Sequence, residues 1–97
     1  MENFEIKISD SVREKLKIHR VSEIEIEEAL YLHQGPYLVD DRIEHRTKPP
    51  TVWFIGHTWH ERLLKVVMKI DKEKKVVAIK TAYDPSEEEI QRYEEST

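Results

Sequence analysis

Leu63-Leu64-Lys65-Val66-Val67-Met68-Lys69-Ile70, the polar run Asp71 to Lys75, and then Val76-Val77-Ala78-Ile79-Lys80-Thr81-Ala82-Tyr83 decide the class of fold. Both apolar runs are rich in β-branched residues, and a short polar connection between two such runs reads as an antiparallel hairpin. Alternation then assigns faces. Leu64, Val66, Met68 and Ile70 share one side of their strand, while Lys65 and Lys69 flank Val67 on the other. On the partner strand Val77, Ile79 and Thr81 face one way and Val76, Ala78 and Lys80 the other. Helices must cover the apolar side.

Working outward, Thr51 to His57 is another β-rich run, Pro49-Pro50 forces an extended turn before it, and Leu38 to Arg46 alternates loosely. Near the start, Phe4, Ile6 and Ile8 alternate with Glu5 and Lys7, the pattern of a short half-buried strand. Two helices precede the sheet. Ser11-x-x-Glu14 reads as a capping box for the first, whose narrow stripe is Val12, Leu16 and His19. Ser22-x-x-Glu25 starts the second, with Val21 and Ile26 as a hydrophobic staple, and Gln34-Gly35-Pro36 stops it. On that helix, spanning about 22–33, Ile26, Ala29, Leu30 and His33 form one face and glutamates take the rest. Asp84 or Ser86 caps a last helix anchored by Ile90 and Tyr93, with residues 94–97 expected to fray. The expectation is one α+β domain over residues 1–97: a three- to four-stranded antiparallel sheet with helices packed on one face.

Composition bounds what such a domain can do. With 97 residues there is room for one core, and 38% hydrophobic against 37% charged residues excludes both a disordered tail and a membrane protein. No apolar run approaches the roughly 20 residues of a spanning helix. Met1-Glu2-Asn3-Phe4 lacks the basic start of a signal peptide and there is no cysteine, so the cytoplasm is the expected compartment. Net charge is −4, yet residues 36–81 carry 10 Lys and Arg against 6 Asp and Glu, and residues 82–97 carry 1 against 6. The middle is basic and the end acidic.

That placement suggests a basic sheet face on which Arg42 and Arg46, from a strand near residue 40, join Lys65, Lys69 and Lys80. Such a face suits phosphates or an acidic partner, although solvated lysines on an outer sheet face are also the ordinary way to keep it soluble. His57-x-x-His60-Glu61, with His45 nearby, offers metal ligands, but the spacing matches no zinc signature, and neither a metal nor a cofactor is expected. Phosphate-binding glycine loops and nucleophile elbows are absent, and the only two glycines are Gly35 and Gly56. The serines have structural explanations at caps and in the tail. General acid–base chemistry through His19, Tyr83, Tyr93 or a carboxylate stays open. Trp53 reads as core, and Trp59, in the turn from Gly56 to Glu61, as a candidate for stacking on a base.

Several of these segments, in order and over most of the chain, resemble a known family. Lys17-Ile18-His19-Arg20-Val21-Ser22 and the following Glu25-Ile26-Glu27-Glu28-Ala29 are similar to the corresponding step and helix of BrnT-type toxins, members of type II toxin–antitoxin pairs with a RelE-like fold. Phe54-Ile55-Gly56, Arg62-Leu63-Leu64-Lys65-Val66-Val67 and Ile79-Lys80-Thr81-Ala82-Tyr83 resemble the meander of that family, and Glu89 with Tyr93 its terminal helix. Arg42-x-x-His45-Arg46-Thr47-x-Pro49-Pro50-Thr51-x-Trp53-Phe54-Ile55 places it nearest a little-characterised subgroup. The resemblance implies RNA cleavage without a metal and neutralisation by a small antitoxin protein; oligomers are open. Thr81-Ala82-Tyr83 stands where many members carry Ser-Ala-Arg, so a phosphate-contacting arginine is replaced by tyrosine. On this reading His19, Arg62, Tyr83 and Tyr93 form the catalytic set, and Arg42, Arg46, Lys65, Lys80 and Trp59 contact RNA. The alternative is a non-catalytic interaction module that keeps the fold and has lost the nuclease site.

Overall fold

Two of the three capping signals in the sequence have a geometric counterpart in the computed structural model, which describes residues 3–40 and 49–97. The elements run β1 (Glu5–Lys7), α1 (Asp10–Ile18), α2 (Glu23–Leu32), β2 (Leu38–Val39), β3 (Thr51–His57), β4 (Leu63–Asp71), β5 (Val76–Tyr83) and α3 (Glu87–Glu95). Ser22 and Ser86 both close complete capping boxes, with Glu25 and Glu89 reaching back to the cap backbone N–H. Ser86, rather than Asp84, is therefore the cap of α3, and the helix persists to Glu95. The expected box on α1 does not form. Ser9 caps that helix by accepting from the Val12 N–H, and Glu14 pairs instead with Lys17 at 3.2 Å.

The sheet departs from the expected one in two respects. It has five strands in the order β1-β5-β4-β3-β2, and β1 lies parallel to β5, so it is mixed rather than antiparallel throughout. The β3-β4-β5 meander is antiparallel, as the hairpin signal requires. A parallel neighbour for β1 follows from α1 and α2, which carry the chain away before the meander begins, so that β5 reaches β1 running in the same direction. The strand expected over 38–46 is described only at Leu38–Val39; Arg42 and Arg46, and with them His45, lie outside the described residues.

The β4-β5 ladder contains a bulge. Met68 pairs with Ile79 but Val67 pairs with Thr81, so Lys80 and Thr81 together oppose Val67. The alternation therefore slips by one residue: Thr81 moves to the Lys65 side, and Ala82 joins the core fully buried. Had the strand stayed regular, Ala82 and Tyr83 would have exchanged faces.

Helices pack on both faces, not one. On the side of Val52, Phe54, Leu64, Val66, Met68, Val77 and Ile79, all buried, α1 and α2 contribute Val12, Leu16, Ile26, Ala29 and Leu30 to the same core. Gly56 lies on this side, and a Cβ there would sit 2.9 Å from the Phe54 ring and 3.5 Å from the Ala29 carbonyl, so the absent side chain is what lets α2 approach. On the opposite side α3 lies across Trp53, Lys65 and Tyr83. Its Tyr93 ring stands 5.7 Å from that of Trp53, and its Glu89 binds both Lys65 and Tyr83. The side predicted to be an open basic surface is thus substantially covered by the acidic terminal helix, which explains why Trp53 and Ile55, on the outer parity of β3, are both only 8% exposed. No described helix is long and apolar enough to cross a membrane.

Candidate functional site

Four of the candidate residues, His19, Arg62, Tyr83 and Lys65, come together where β4 begins and β5 ends. The cause is register: Lys65 pairs with Tyr83, and His57 with Leu63 at the mouth of the β3-β4 hairpin, so Arg62 projects toward the α1-α2 junction. Arg20, at the end of α1, adopts φ 56°, and the Val21 N–H returns to the Leu16 carbonyl. This turn presents the carbonyls of His19 and Arg20 outward, at the negative end of a helix.

Arg62 meets them. Its guanidinium donates to the Arg20 carbonyl at 2.8 Å and the His19 carbonyl at 3.3 Å, to both oxygens of Asp84 at 2.8 and 3.1 Å, and to Glu25 at 3.1 Å. The planar donor fork thus joins the end of α1, the start of α2 and the residue after β5. Hydrogen bonds to Asp84 raise the arginine pKa further, and the same contact holds the Asp84 carboxyl below its usual value. For Glu25, burial works against ionisation, but the Ser22 backbone and Arg62 outweigh it and lower its pKa.

The neighbouring pair repeats this arrangement. Lys65 donates to Glu89 at 2.7 Å, and the Tyr83 hydroxyl donates to the same oxygen at 2.8 Å. Lys65 also lies over the Trp53 and Tyr83 rings, at 4.5 and 5.6 Å from their centroids. Only 14% of the Lys65 side chain and 21% of Glu89 are exposed, so this is a shielded ion pair. Burial alone would lift the Glu89 carboxyl; the Lys65 ammonium, the Ser86 backbone and the Tyr83 hydroxyl together hold it at about 2. Burial, and then Glu89, push Tyr83 up. The exposed His19 ring completes the group, 5.5 Å from the Tyr83 ring.

The remaining candidates stand elsewhere. Tyr93 is buried, donates to the Pro36 carbonyl at 2.6 Å and lies 3.1 Å from His33 Nε2; burial pushes its pKa up to about 12. It ties α3 to the segment after α2 and does not adjoin His19. Lys80 is exposed on the bulge. Trp59 is 65% exposed in the β3-β4 turn, with its backbone N–H bound to Glu28. Among the described residues no three His, Asp or Glu side chains gather as a metal-binding set.

Chemically the cluster is a closed electrostatic unit, in which two cations, Arg62 and Lys65, meet three carboxylates, Glu25, Asp84 and Glu89. A phosphate placed there would have to displace those carboxylates. The carboxylates escaped the sequence reading because each had a sufficient local role: Glu25 and Glu89 in capping boxes, Asp84 as a candidate cap. The available signal was that Glu25 and Glu89 each have a second oxygen left over once the box is closed. The class defined by these features is an α+β protein with a mixed five-stranded sheet, helices on both faces and, at one end, a cluster whose two cations are bound by three carboxylates. Comparison with known proteins finds no matching family model, curated protein or solved structure.

Proposed function

We propose that this chain is a cytoplasmic, toxin-like protein that works through contacts with another protein, its ribonuclease-type cluster being closed by its own carboxylates. The observation that carries the reading is that both cations at the cluster are already bound, Arg62 to Glu25 and Asp84 and Lys65 to Glu89. Neither is presented to a phosphate. The toxin-like character rests on the sequence resemblance, and so does the expectation of a small antitoxin as the partner. The replacement of arginine by Tyr83 points the same way, since tyrosine brings no charge to stabilise a phosphorane.

The test is RNA integrity, followed over time after induced expression and with purified protein. Intact RNA and unimpaired growth at saturating expression are expected. Cleavage that disappears in Tyr83→Phe or Lys65→Ala, with the fold retained, would overturn the reading.

One observation favours a second reading, a metal-independent endoribonuclease. His19 and Tyr83 adjoin each other beside Arg62. In that reading the His19 ring would take the proton of a ribose 2′-OH as it attacks the adjacent phosphate, the bond from phosphorus to the 5′-oxygen would break to leave a 2′,3′-cyclic phosphate, and the departing 5′-oxygen would take a proton from the Tyr83 hydroxyl, with Arg62 and Lys65 freed from their carboxylates to stabilise the charge. The same RNA experiment decides between the two.

A further inference from the structure

Helix α2 is apolar on both sides. Ile26, Ala29 and Leu30 are buried on the sheet, while Ile24 is 65%, Tyr31 77% and Leu32 42% exposed. Four glutamates separate these apolar side chains, and no described element covers Ile24, Tyr31 and Leu32. Ile24 and Tyr31 are two turns apart and share a face, and Glu28 lies one turn from both Ile24 and Leu32. Glu28 accepts the backbone N–H of Trp59 at 3.1 Å, which brings that exposed residue to the same flank.

The charges that the helix itself brings to these side chains are of one sign. The helix contains Glu23, Glu25, Glu27 and Glu28 and no Lys or Arg. Glu23 pairs with Arg13 and Glu25 with Arg62, but Glu27 and Glu28 form no ion pair among the described residues. Apolar contacts interspersed with unpaired carboxylates repel nucleic acid and anionic membrane. They also disfavour a second copy of this chain, which would set glutamates against glutamates.

We infer that this face, with Ile24, Tyr31, Leu32 and Trp59 as anchors and Glu27 and Glu28 as its charged part, docks a cationic amphipathic helix of a partner protein. The partner's apolar residues recur one turn apart, and its lysines or arginines reach the two glutamates. This rests on the reading of the chain as an interaction protein, and adds where the partner binds and what chemistry it carries.

The whole chain is titrated with a synthetic amphipathic helix of leucine and lysine, and with the counterpart in which glutamate replaces every lysine, using calorimetry and tryptophan emission, in which Trp59 is exposed and Trp53 buried. The lysine peptide should bind and the glutamate peptide should not. Ile24→Ser/Tyr31→Ser should weaken binding at least about tenfold. Glu27→Gln/Glu28→Gln should weaken it several-fold and flatten its salt dependence, whereas Glu87→Gln/Glu88→Gln on α3 should leave it unchanged. The replaced side chains are exposed, and circular dichroism checks that each variant folds; Tyr31→Ala alone serves if the double variant does not. Equal binding of both peptides, undiminished binding by Ile24→Ser/Tyr31→Ser, or an equal loss in the α3 variant would overturn the proposal. So would self-association through this face, or competition at it by single-stranded RNA or anionic vesicles. RNA cleavage by the protein would remove the closed-cluster reading and leave the outcome of this titration standing.

Discussion

Arg62 shows how a residue suited to phosphate can be used up by the fold. Its bonds to Glu25, Asp84 and two backbone carbonyls make it the tie between three elements, and truncation would leave two carboxylates and a helix end without their donor. Arg62→Ala should therefore cost about 2–3 kcal/mol, read as a lower urea midpoint at unchanged slope. Glu89 gives a pH signature. Its folded pKa, about 2 against an ordinary 4.5, means that its contribution is present in full above pH 4.5 and is lost as pH falls through the interval to about 2. The loss is at most about 3 kcal/mol. An acid unfolding series should show it, and Glu89→Gln should remove that part of the slope. His33, whose pKa burial lowers, adds an earlier loss of the same sign as pH falls below 6.5.

At the scale of elements, the local signals were legible and the long-range ones were not. Ser22 with Glu25, the β4-β5 hairpin and the inward set Leu64, Val66 and Met68 follow from capping chemistry and two-residue alternation, and each is observed. Ser11 failed as a cap because Ser9 offers the same hydroxyl at the residue before the helix, a choice that spacing alone does not make. The bulge at Lys80 left no mark, since no glycine or proline interrupts the run from Val76 to Tyr83, yet it decides which face Thr81 and Ala82 occupy. Likewise α3 carried a clear start signal, but nothing local said which side of the sheet it would cross, and the predicted basic face depended on that. Treating α2 as one apolar face among glutamates overlooked Ile24, Tyr31 and Leu32, although they were visible in the sequence. The close packing of α2 on β3 is itself testable. Gly56→Ala places a methyl group against Phe54, which is fully buried and has no room to yield, and should cost about 1–3 kcal/mol, measured as a fall in Tm.

Charge acts on the whole molecule. Of the lysines and arginines in residues 36–81, Arg62 and Lys65 are taken up by carboxylates from α2, the β5-α3 connection and the acidic helix α3. The net −4 then governs long-range encounters. Affinity for single-stranded RNA should be weak, with a nearly flat dependence on salt, since each phosphate contact would add about −0.7 to the slope of log affinity against log salt. A filter-binding series in increasing potassium chloride checks this.

The parallel pairing of β1 with β5 has a consequence for synthesis. Glu5 finds its neighbour at Val76. While the ribosome is still translating the meander, the first strand has no place in a sheet, and α1 and α2 must wait with their apolar sides uncovered. The amino-terminal third is therefore the part a nascent chain exposes longest. Mutations that slow closure of the β4-β5 hairpin should reduce soluble yield more than their effect on the finished protein's stability would suggest.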